Sequence, residues 1–154
     1  DRHRRTRRGR DKNASVTADL PRYCCAILEA PDGTLLLERR PPDARRAAGN
    51  ITCFGGAREP GEDPEACIRR ELLEELGWRV GEVERVLVLH RAGDVLAWFY
   101  RAAAPDPGVP LVTEEGYEAI WVRRADLHAT PLSPWHRAAL NAYFAGHPSA
   151  TCDP

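Results

Sequence analysis

The segment Gly56–Trp78 (GAREPGEDPEACIRRELLEELGW) constrains the fold of this 154-residue chain more than any other part of it. Asp63 and Pro64 predict the start of a helix, because an Asp side chain can accept hydrogen bonds from free backbone N–H groups and proline is tolerated at the first helical position. The helix is predicted to run to Leu76 and to end at Gly77, since glycine adopts the left-handed conformation of a C-terminal cap at little cost. The segment therefore predicts a glycine-containing loop followed by a helix.

Three acids of this helix, Glu71, Glu74 and Glu75, fall on one arc of its surface at 3.6 residues per turn. Like charges three or four positions apart repel each other, and the repulsion grows as the groups lose water. A run of acidic residues usually forms a solvated helix face, but here a glycine pair, Gly55 and Gly56, lies just upstream. Hard divalent ions such as Mg²⁺ take oxygen ligands and keep substrate phosphates in their shell. The pattern therefore indicates a site for a divalent metal and phosphate.

Nine residues of the segment have a characteristic spacing. They are Gly56, Glu62, Arg70, Glu71, Leu72, Glu74, Glu75, Gly77 and Trp78. They match the signature G-x5-E-x7-R-E-U-x-E-E-x-G-U, where U is an apolar residue, and on these residues the chain resembles the Nudix hydrolases. The resemblance implies that water cleaves the diphosphate linkage of a nucleoside diphosphate joined to a second moiety, as in a nucleoside triphosphate or a nucleotide-sugar. It also implies Mg²⁺ or Mn²⁺ as the cofactor.

The resemblance implies roles for individual residues of the site. Glu74 and Glu75 are expected to bind the metal through their carboxylates, together with the backbone carbonyl of Gly55. Glu71 is expected to bind the metal or to orient the attacking water, so Glu71 and Glu75 are the catalytic candidates of the helix. Compensation of charge at phosphorus is usually the largest catalytic effect available to such a site.

Three further residues of the segment, Gly56, Glu62 and Arg70, are expected to support the site. Arg70 is the natural ion-pair partner of Glu62, and the resemblance implies that this pair braces the loop against the helix. The pair is therefore expected to be structural, without contacting substrate.

One more catalytic acid is expected from residues 115–122 (EGYEAIWV), because in similar proteins this segment brings an acid to the metal or to the water. Alternation with a period of two places Glu118 on the same strand face as Ile120, where the sheet would hold its side chain. Glu115 lies on the preceding loop, which can reach the site. Glu115 is therefore the preferred candidate, with Glu114 and Glu118 as its rivals.

Four aromatic residues lie near the expected pocket, namely Phe54, Trp98, Tyr117 and Trp121, and the first three are the candidates for contact with the substrate. Any one of them could stack on a base, although core packing is the commoner role of an aromatic side chain. The histidines, His136 among them, are dispersed without partner spacing. They are expected to be packing or surface residues.

The rest of the chain predicts strands around two helices. Strands are predicted over residues 22–30, 34–39, 51–54, 83–90, 95–102 and 119–122, and a second, amphipathic helix over residues 134–144. Two helices packed on opposite faces of a mixed sheet suit this order. The predicted fold is therefore an α/β/α sandwich with a mixed β-sheet between its helices, which is also the fold that the Nudix resemblance implies.

Length and composition bound the other properties of the chain. A chain of 154 residues is about one domain long, and the domain is placed at residues 20–147, between a basic arm (1–19) and a C-terminal tail (148–154). No apolar run approaches the roughly 18–20 residues of a membrane span, and no leader pattern is present, so a cytoplasmic protein is expected. The five cysteines are odd in number and lack C-x-x-C spacing, which predicts reduced thiols.

The first twelve residues carry a net charge of +5, from six arginines and Lys12 against Asp1 and Asp11. Such an arm can bind a polyanion, but a disordered terminus is the commoner case and is favoured here. The expected partner is a small-molecule nucleotide, with no membrane partner and with nucleic acid disfavoured. The sequence leaves both a monomer and a homodimer open.

Two alternatives to a small-molecule hydrolase remain open at this point. An RNA 5′-end pyrophosphohydrolase would use the basic arm to hold its substrate. A non-catalytic, nucleotide-sensing module would have the same fold, but such a module has little reason to keep a cluster of mutually repelling acids.

Overall fold

The computed structural model describes residues 20–154. The predicted basic arm, residues 1–19, lies outside the described residues. The strands are β1 (Tyr23–Glu29), β2 (Leu35–Arg39), β3 (Ile51–Thr52), β4 (Phe54–Ala57), β5 (Glu84–Arg91), β6 (Asp94–Ala103), β7 (Glu118–Val122) and β8 (Ser149–Cys152). The helices are α1 (Pro64–Leu76), α2 (Pro134–Phe144) and a short 3-10 helix (Arg124–Ala129).

The eight strands form one mixed sheet. Its main path runs β3-β2-β1-β6-β5-β8, while β4 pairs with β1 and β7 pairs with β2. The β1–β6 and β5–β8 pairs are parallel, and the other pairs are antiparallel. Because β1 lies at the centre of this sheet, both of its faces are covered, and its sequence is correspondingly apolar throughout.

Alternation along β1 divides the core into two layers. Cys24, Ala26 and Leu28 pack against the buried side of α1, whereas Cys25 and Ile27 pack with the layer that contains α2. The α/β/α sandwich with a mixed sheet is therefore confirmed.

Helix α1 begins and ends where the sequence predicts. The Asp63 side chain accepts hydrogen bonds from the backbone N–H groups of Glu65 (3.1 Å) and Ala66 (3.2 Å), and Pro64 occupies the first turn. Gly77 adopts the left-handed conformation with φ 61°, and its N–H donates to the Leu73 carbonyl. These two caps fix the helix length, so the positions of its acids relative to the loop are fixed as well.

Two sequence expectations about the strands are wrong. The single strand expected over residues 51–54 is two strands, because the chain changes partner at Cys53: β3 pairs with β2, whereas β4 pairs with β1. The C-terminal tail expected over residues 148–154 contains β8, which pairs in parallel with β5 and buries Cys152. Gly146, with φ 81°, lets the chain turn back from α2 toward that edge of the sheet.

The five cysteines are Cys24, Cys25, Cys53, Cys67 and Cys152, and all are free and buried, as expected. Burial raises the pKa of the Cys53 thiol to about 12. Packing is therefore their evident role in the structure. No helix within residues 20–154 combines the length and the apolar composition that a membrane span requires.

Candidate active site

The glycine loop and helix α1 meet through two glutamates. Strand β4 lies antiparallel on β1, which places Gly55 and Gly56 beneath α1. The Gly55 N–H donates a hydrogen bond to Oε1 of Glu75 at 3.1 Å. The Glu71 carboxylate lies against Gly56 so closely that a Cβ at Gly56 would stand 2.5 Å from its carbon. The structure therefore brings together four of the residues that the sequence assigns to the site.

Arg70 makes the ion pair expected with Glu62. Its Nε donates to Oε2 of Glu62 at 2.7 Å and its Nη2 donates to Oε1 at 2.9 Å, which is the bidentate geometry of a strong pair. Arg70 also contacts Glu71 at 3.0 Å and Glu74 at 3.2 Å through Nη1. One guanidinium thus neutralises acids of both the loop and the helix, which the sequence analysis did not foresee.

Substitution of this pair gives a direct test of the bracing role. We expect Arg70→Ala and Glu62→Ala each to lower both thermal stability and activity, because each leaves a charge without its partner, and the double variant to lose less than the sum. Arg70 lowers the pKa of Glu62 to about 2, from a usual value of 4.5. The contribution of Glu62 is therefore fully present above pH 4.5 and is lost as the pH falls towards 2. Strictly additive effects in a double-mutant cycle at pH 7 would show that the pair has no bracing role.

The structure adds one acid that the sequence analysis missed, Glu38 of β2. Its side chain is only 3% exposed, and its negative charge adds to the effect of burial in raising the pKa of the neighbouring Glu75. Nη1 of Arg40 donates to Oε1 of Glu38 at 2.9 Å. The signal was present, because alternation in β2 places Glu38 on the same face as Leu36, which packs on α1. An acid on a buried strand face is rare unless it is paired.

The carboxyl groups of Glu38, Glu75 and Glu71 are neighbours under α1, and we call them the buried row. Burial raises the pKa of Glu75 to about 11, and the neighbouring charge of Glu38 adds to this effect. Burial also raises the pKa of Glu38, although Arg40 opposes the shift. Without a metal ion, the row therefore holds at least one proton at neutral pH.

Glu74 stands apart from this row. Its side chain is 59% exposed and is directed to Arg70. In the part of the chain that the structure describes, no three His, Cys, Asp or Glu side chains are arranged to enclose a metal ion. The acids assigned to the metal thus lie on one side of α1, Glu74 is paired with Arg70, and the metal assignment stays a prediction.

Glu115 lies on the exposed loop before β7. With Glu114, Tyr117 and residues 40, 41 and 43–46 it lines a polar cavity of about 530 Å³. The negative charge of Glu114 adds to the effect of burial in raising the pKa of Glu38. Glu115 stays a prediction, and Glu118 pairs with Arg39 at 2.7 Å on the exposed side of β7.

A second cavity, of about 480 Å³, opens beside the glycine loop. It reaches Gly55 and Gly56 and is walled by Tyr23 of β1 and Trp135 of α2, whose ring centroids are 5.6 Å apart. The Arg46 guanidinium lies 4.6 Å from the centre of the Tyr23 ring. This volume lies within the usual range for small-molecule sites, and the lining combines aromatic and cationic groups. We call it the aromatic cavity.

His136 forms part of the wall of the aromatic cavity. Its Nδ1 lies 2.6 Å from Oγ of Ser133. Burial, together with the charge of Arg40, lowers the pKa of His136 to about 4, so the ring is neutral at pH 7. His136 is therefore a buried packing residue, as expected, and adds no charge to the cavity.

The substrate contacts expected of Phe54 and Trp98 are not supported by the structure. Both residues belong to the layer under α1, on the opposite face of the sheet, and Phe54 is fully buried there. The reason is the two-residue period of strands, which directs neighbouring side chains to opposite faces. Tyr117 lines the polar cavity, where the Arg40 guanidinium lies 5.3 Å from the centre of its ring. Tyr23 and Trp135 line the aromatic cavity instead.

Known proteins resemble this chain in both sequence and fold. A MutT NUDIX hydrolase from Burkholderia pseudomallei superposes with a TM-score of 0.65 at 27% identity, over 79% of this chain and 97% of that one. The ORF135 protein of E. coli superposes with a TM-score of 0.57 at 29% identity, over 80% of this chain and 87% of that one.

A shorter similarity links the chain to larger enzymes. The NAD-capped RNA hydrolase NUDT12 of Homo sapiens is 46% identical over 56 residues, which is 36% of this chain but only 12% of that protein. Finally, the family profile of the NUDIX domain matches residues 19–143, the greater part of the chain. The chain therefore belongs to the Nudix family.

Proposed function

We propose that this protein is a metal-dependent hydrolase that cleaves the diphosphate linkage of a nucleoside diphosphate joined to a second moiety. The observation that carries the proposal is the position of the aromatic cavity. It shares Gly55 and Gly56 with the loop whose other side carries Glu71 and Glu75. A base held in this cavity would therefore place its phosphates beside the acids.

The residues present suit Mg²⁺ or Mn²⁺ as the cofactor. Glu71, Glu74 and Glu75, with the Gly55 carbonyl, would supply the hard oxygen ligands that these ions take. Carboxyl groups that are buried in contact share protons, and a divalent ion that displaces such a proton relieves their repulsion. Glu74 would exchange its contact with Arg70 for the ion. When bound, the ion would offset charge on the phosphate oxygens and activate water.

The chain's own residues would bind and orient the substrate. Tyr23 and Trp135 offer faces for a base, and Arg46 offers a cation at the mouth of the cavity. Glu71, packed on Gly56, would accept a hydrogen bond from the attacking water. Glu115, on the exposed loop before β7, is proposed as the additional acid.

Hydrolysis of nucleoside triphosphates and nucleotide-sugars, measured as the nucleoside monophosphate formed, with Mg²⁺, with Mn²⁺ and without metal, tests this function. We expect Trp135→Ala to raise KM for the best substrate by about ten-fold or more at nearly constant kcat, since base stacking contributes about 1–3 kcal/mol. Trp121→Ala is the matched control, because Trp121 is exposed and lines neither cavity. Absence of metal-dependent hydrolysis of every substrate would refute the proposal.

A second candidate is removal of a nucleotide group from the 5′ end of RNA. The partial similarity to an NAD-capped RNA hydrolase and the +5 charge of residues 1–12 favour it. This function predicts that hydrolysis of capped RNA depends strongly on salt, and that the dependence weakens when residues 1–12 are removed. Hydrolysis of mononucleotide substrates should be unaffected by the same deletion.

A further inference from the structure

Glu38 connects the metal-binding helix to the wall of the substrate cavity. On one side, Glu38 shares with Leu36 the face of β2 that packs against α1, the helix that carries Glu75. On the other side it accepts a hydrogen bond from Nη1 of Arg40 at 2.9 Å, and the Glu38 side chain of this ion pair is only 4% exposed. Glu38 thus lies between the helix of the proposed metal ligands and a cation of the cavity.

Arg40 in turn holds the substrate side of the site. Its Nε donates to the backbone carbonyl of Arg46 at 2.7 Å, and its guanidinium stacks on the Tyr117 ring. Arg40 and Arg46 line both the aromatic cavity and the polar cavity. The position of Arg40 therefore determines where Arg46 lies, and the position of Glu38 determines where Arg40 lies.

Thr52 provides a separate observation at the same place. It stands directly opposite Glu38 across the β2–β3 pair, so that both side chains project from one face. Its hydroxyl oxygen is fully buried and has no hydrogen-bond partner among the described residues. An unpaired buried hydroxyl costs free energy. The hydrogen-bond partner of the Thr52 hydroxyl would therefore be a ligand atom or a water bound with the ligand.

We propose that Glu38 is a positioning residue of the active site, which neutralises Arg40 beside the divalent ion and holds Arg40 in the substrate cavity. The inference rests on the proposed metal-dependent function. It concerns a residue outside the segment that carries the Nudix signature.

The charges predict opposite effects of the two partners on metal affinity. Loss of the Glu38 charge removes a carboxylate from the buried row and leaves the Arg40 guanidinium uncompensated next to it, and both changes disfavour a cation. Loss of the Arg40 charge removes a cation that would repel the divalent ion, which favours metal binding. General damage to the fold would instead weaken metal binding in both variants.

The experiment measures the Kd of Mn²⁺ for the substrate-free protein, from the free-ion signal in electron paramagnetic resonance. We expect Glu38→Gln to raise this Kd by about ten-fold, because the charge count of a site sets its affinity for hard cations. Arg40→Gln is expected to lower the Kd or leave it unchanged, while raising KM for the substrate at saturating Mn²⁺. The double variant should lie between the two.

Glu84→Gln is the matched control, since Glu84 forms an exposed ion pair with Arg101 at 3.1 Å away from both cavities. Its Mn²⁺ affinity should equal that of the unsubstituted protein. Equal Mn²⁺ affinities of the Glu38→Gln variant and the unsubstituted protein would overturn the inference about Glu38 and leave the proposed function intact. A weakened affinity in both single variants would assign Glu38 a purely structural role, and absence of Mn²⁺ binding by the unsubstituted protein would overturn the proposed function as well.

Discussion

Replacement of Glu75 by glutamine is expected to lower turnover by at least about two orders of magnitude, because it removes the charge of a proposed metal ligand that offsets charge at phosphorus. The amide preserves the local contacts. Its oxygen can still accept from the Gly55 N–H, and its NH₂ group can donate to Glu38. The loss would therefore reflect charge and metal binding, with the shape of the site retained.

Stability without metal should respond in the opposite direction. Because the folded-state pKa of Glu75 is raised above its usual value of 4.5, the folded protein binds more protons than the unfolded chain between that value and about 11. Linkage then requires metal-free stability to fall as the pH rises through this range. Glu75→Gln lacks this titration, so its melting temperature should be equal to or higher than that of the parent protein and less dependent on pH.

The measurement combines turnover at saturating Mg²⁺ with melting curves in a chelator between about pH 5 and pH 9, a window inside the range set by the Glu75 shift. Glu65→Gln is a suitable control, since Glu65 is an exposed acid of the first turn of the same helix. A Glu75→Gln variant that retains full activity, or one that melts far below the parent without metal, would contradict the role assigned to Glu75.

Replacement of Gly55 by alanine is expected to destabilise the fold by about 3 kcal/mol or more, by the usual cost of a side chain forced into a disallowed backbone conformation and a clash. Gly55 has φ 151°, which L residues rarely adopt. An added Cβ would overlap the backbone carbonyl oxygen of Cys24 and stand 2.7 Å from Cα of Cys25. Both atoms belong to the backbone of the central strand, so neither can move aside cheaply.

Alanine variants at two other glycines, Gly56 and Gly81, are compared with Gly55→Ala. At Gly56 the three atoms nearest to an added Cβ all belong to the carboxylate of Glu71, the end of a flexible side chain. Gly56→Ala should therefore retain most of the stability but lose activity, because it displaces Glu71. Gly81 has open space around it, and Gly81→Ala should change neither property. Denaturant unfolding and turnover of the three variants test the series, and a Gly55→Ala variant as stable as Gly81→Ala would contradict the close packing of β4 on β1.

The sequence predicts helix α1 closely because its signals are local. The Asp63 cap, Pro64 and the left-handed Gly77 act within a few residues of the helix ends, and the spacing of Glu71 and Glu75 follows from the helix period. The Glu62–Arg70 pair also lies within this single loop-helix unit. For such features the sequence is sufficient.

The parts that the sequence did not predict depend on contacts between distant segments. Tyr23 and Trp135 meet only because β1 and α2 pack together, and Glu38 meets Glu75 only because β2 lies under α1. Strand β8 has four residues with little alternation, and its partner β5 provides the hydrogen bonds that define it. Register and packing between distant segments are tertiary properties, which local propensity does not determine.

Labelling of the five buried thiols would report local opening of the protein structure. A thiol reagent reacts with a buried cysteine only when the surrounding structure opens, so each labelling rate measures the free energy of a local opening. Cys152 lies on the edge strand β8, whereas Cys24 lies on the central strand β1 under α1. We expect Cys152 to react first and Cys24 among the last, at a rate that approaches global unfolding. A substrate or metal ion that closes the site would slow labelling of the cavity residues Cys25 and Cys53, which gives a binding assay that requires no turnover.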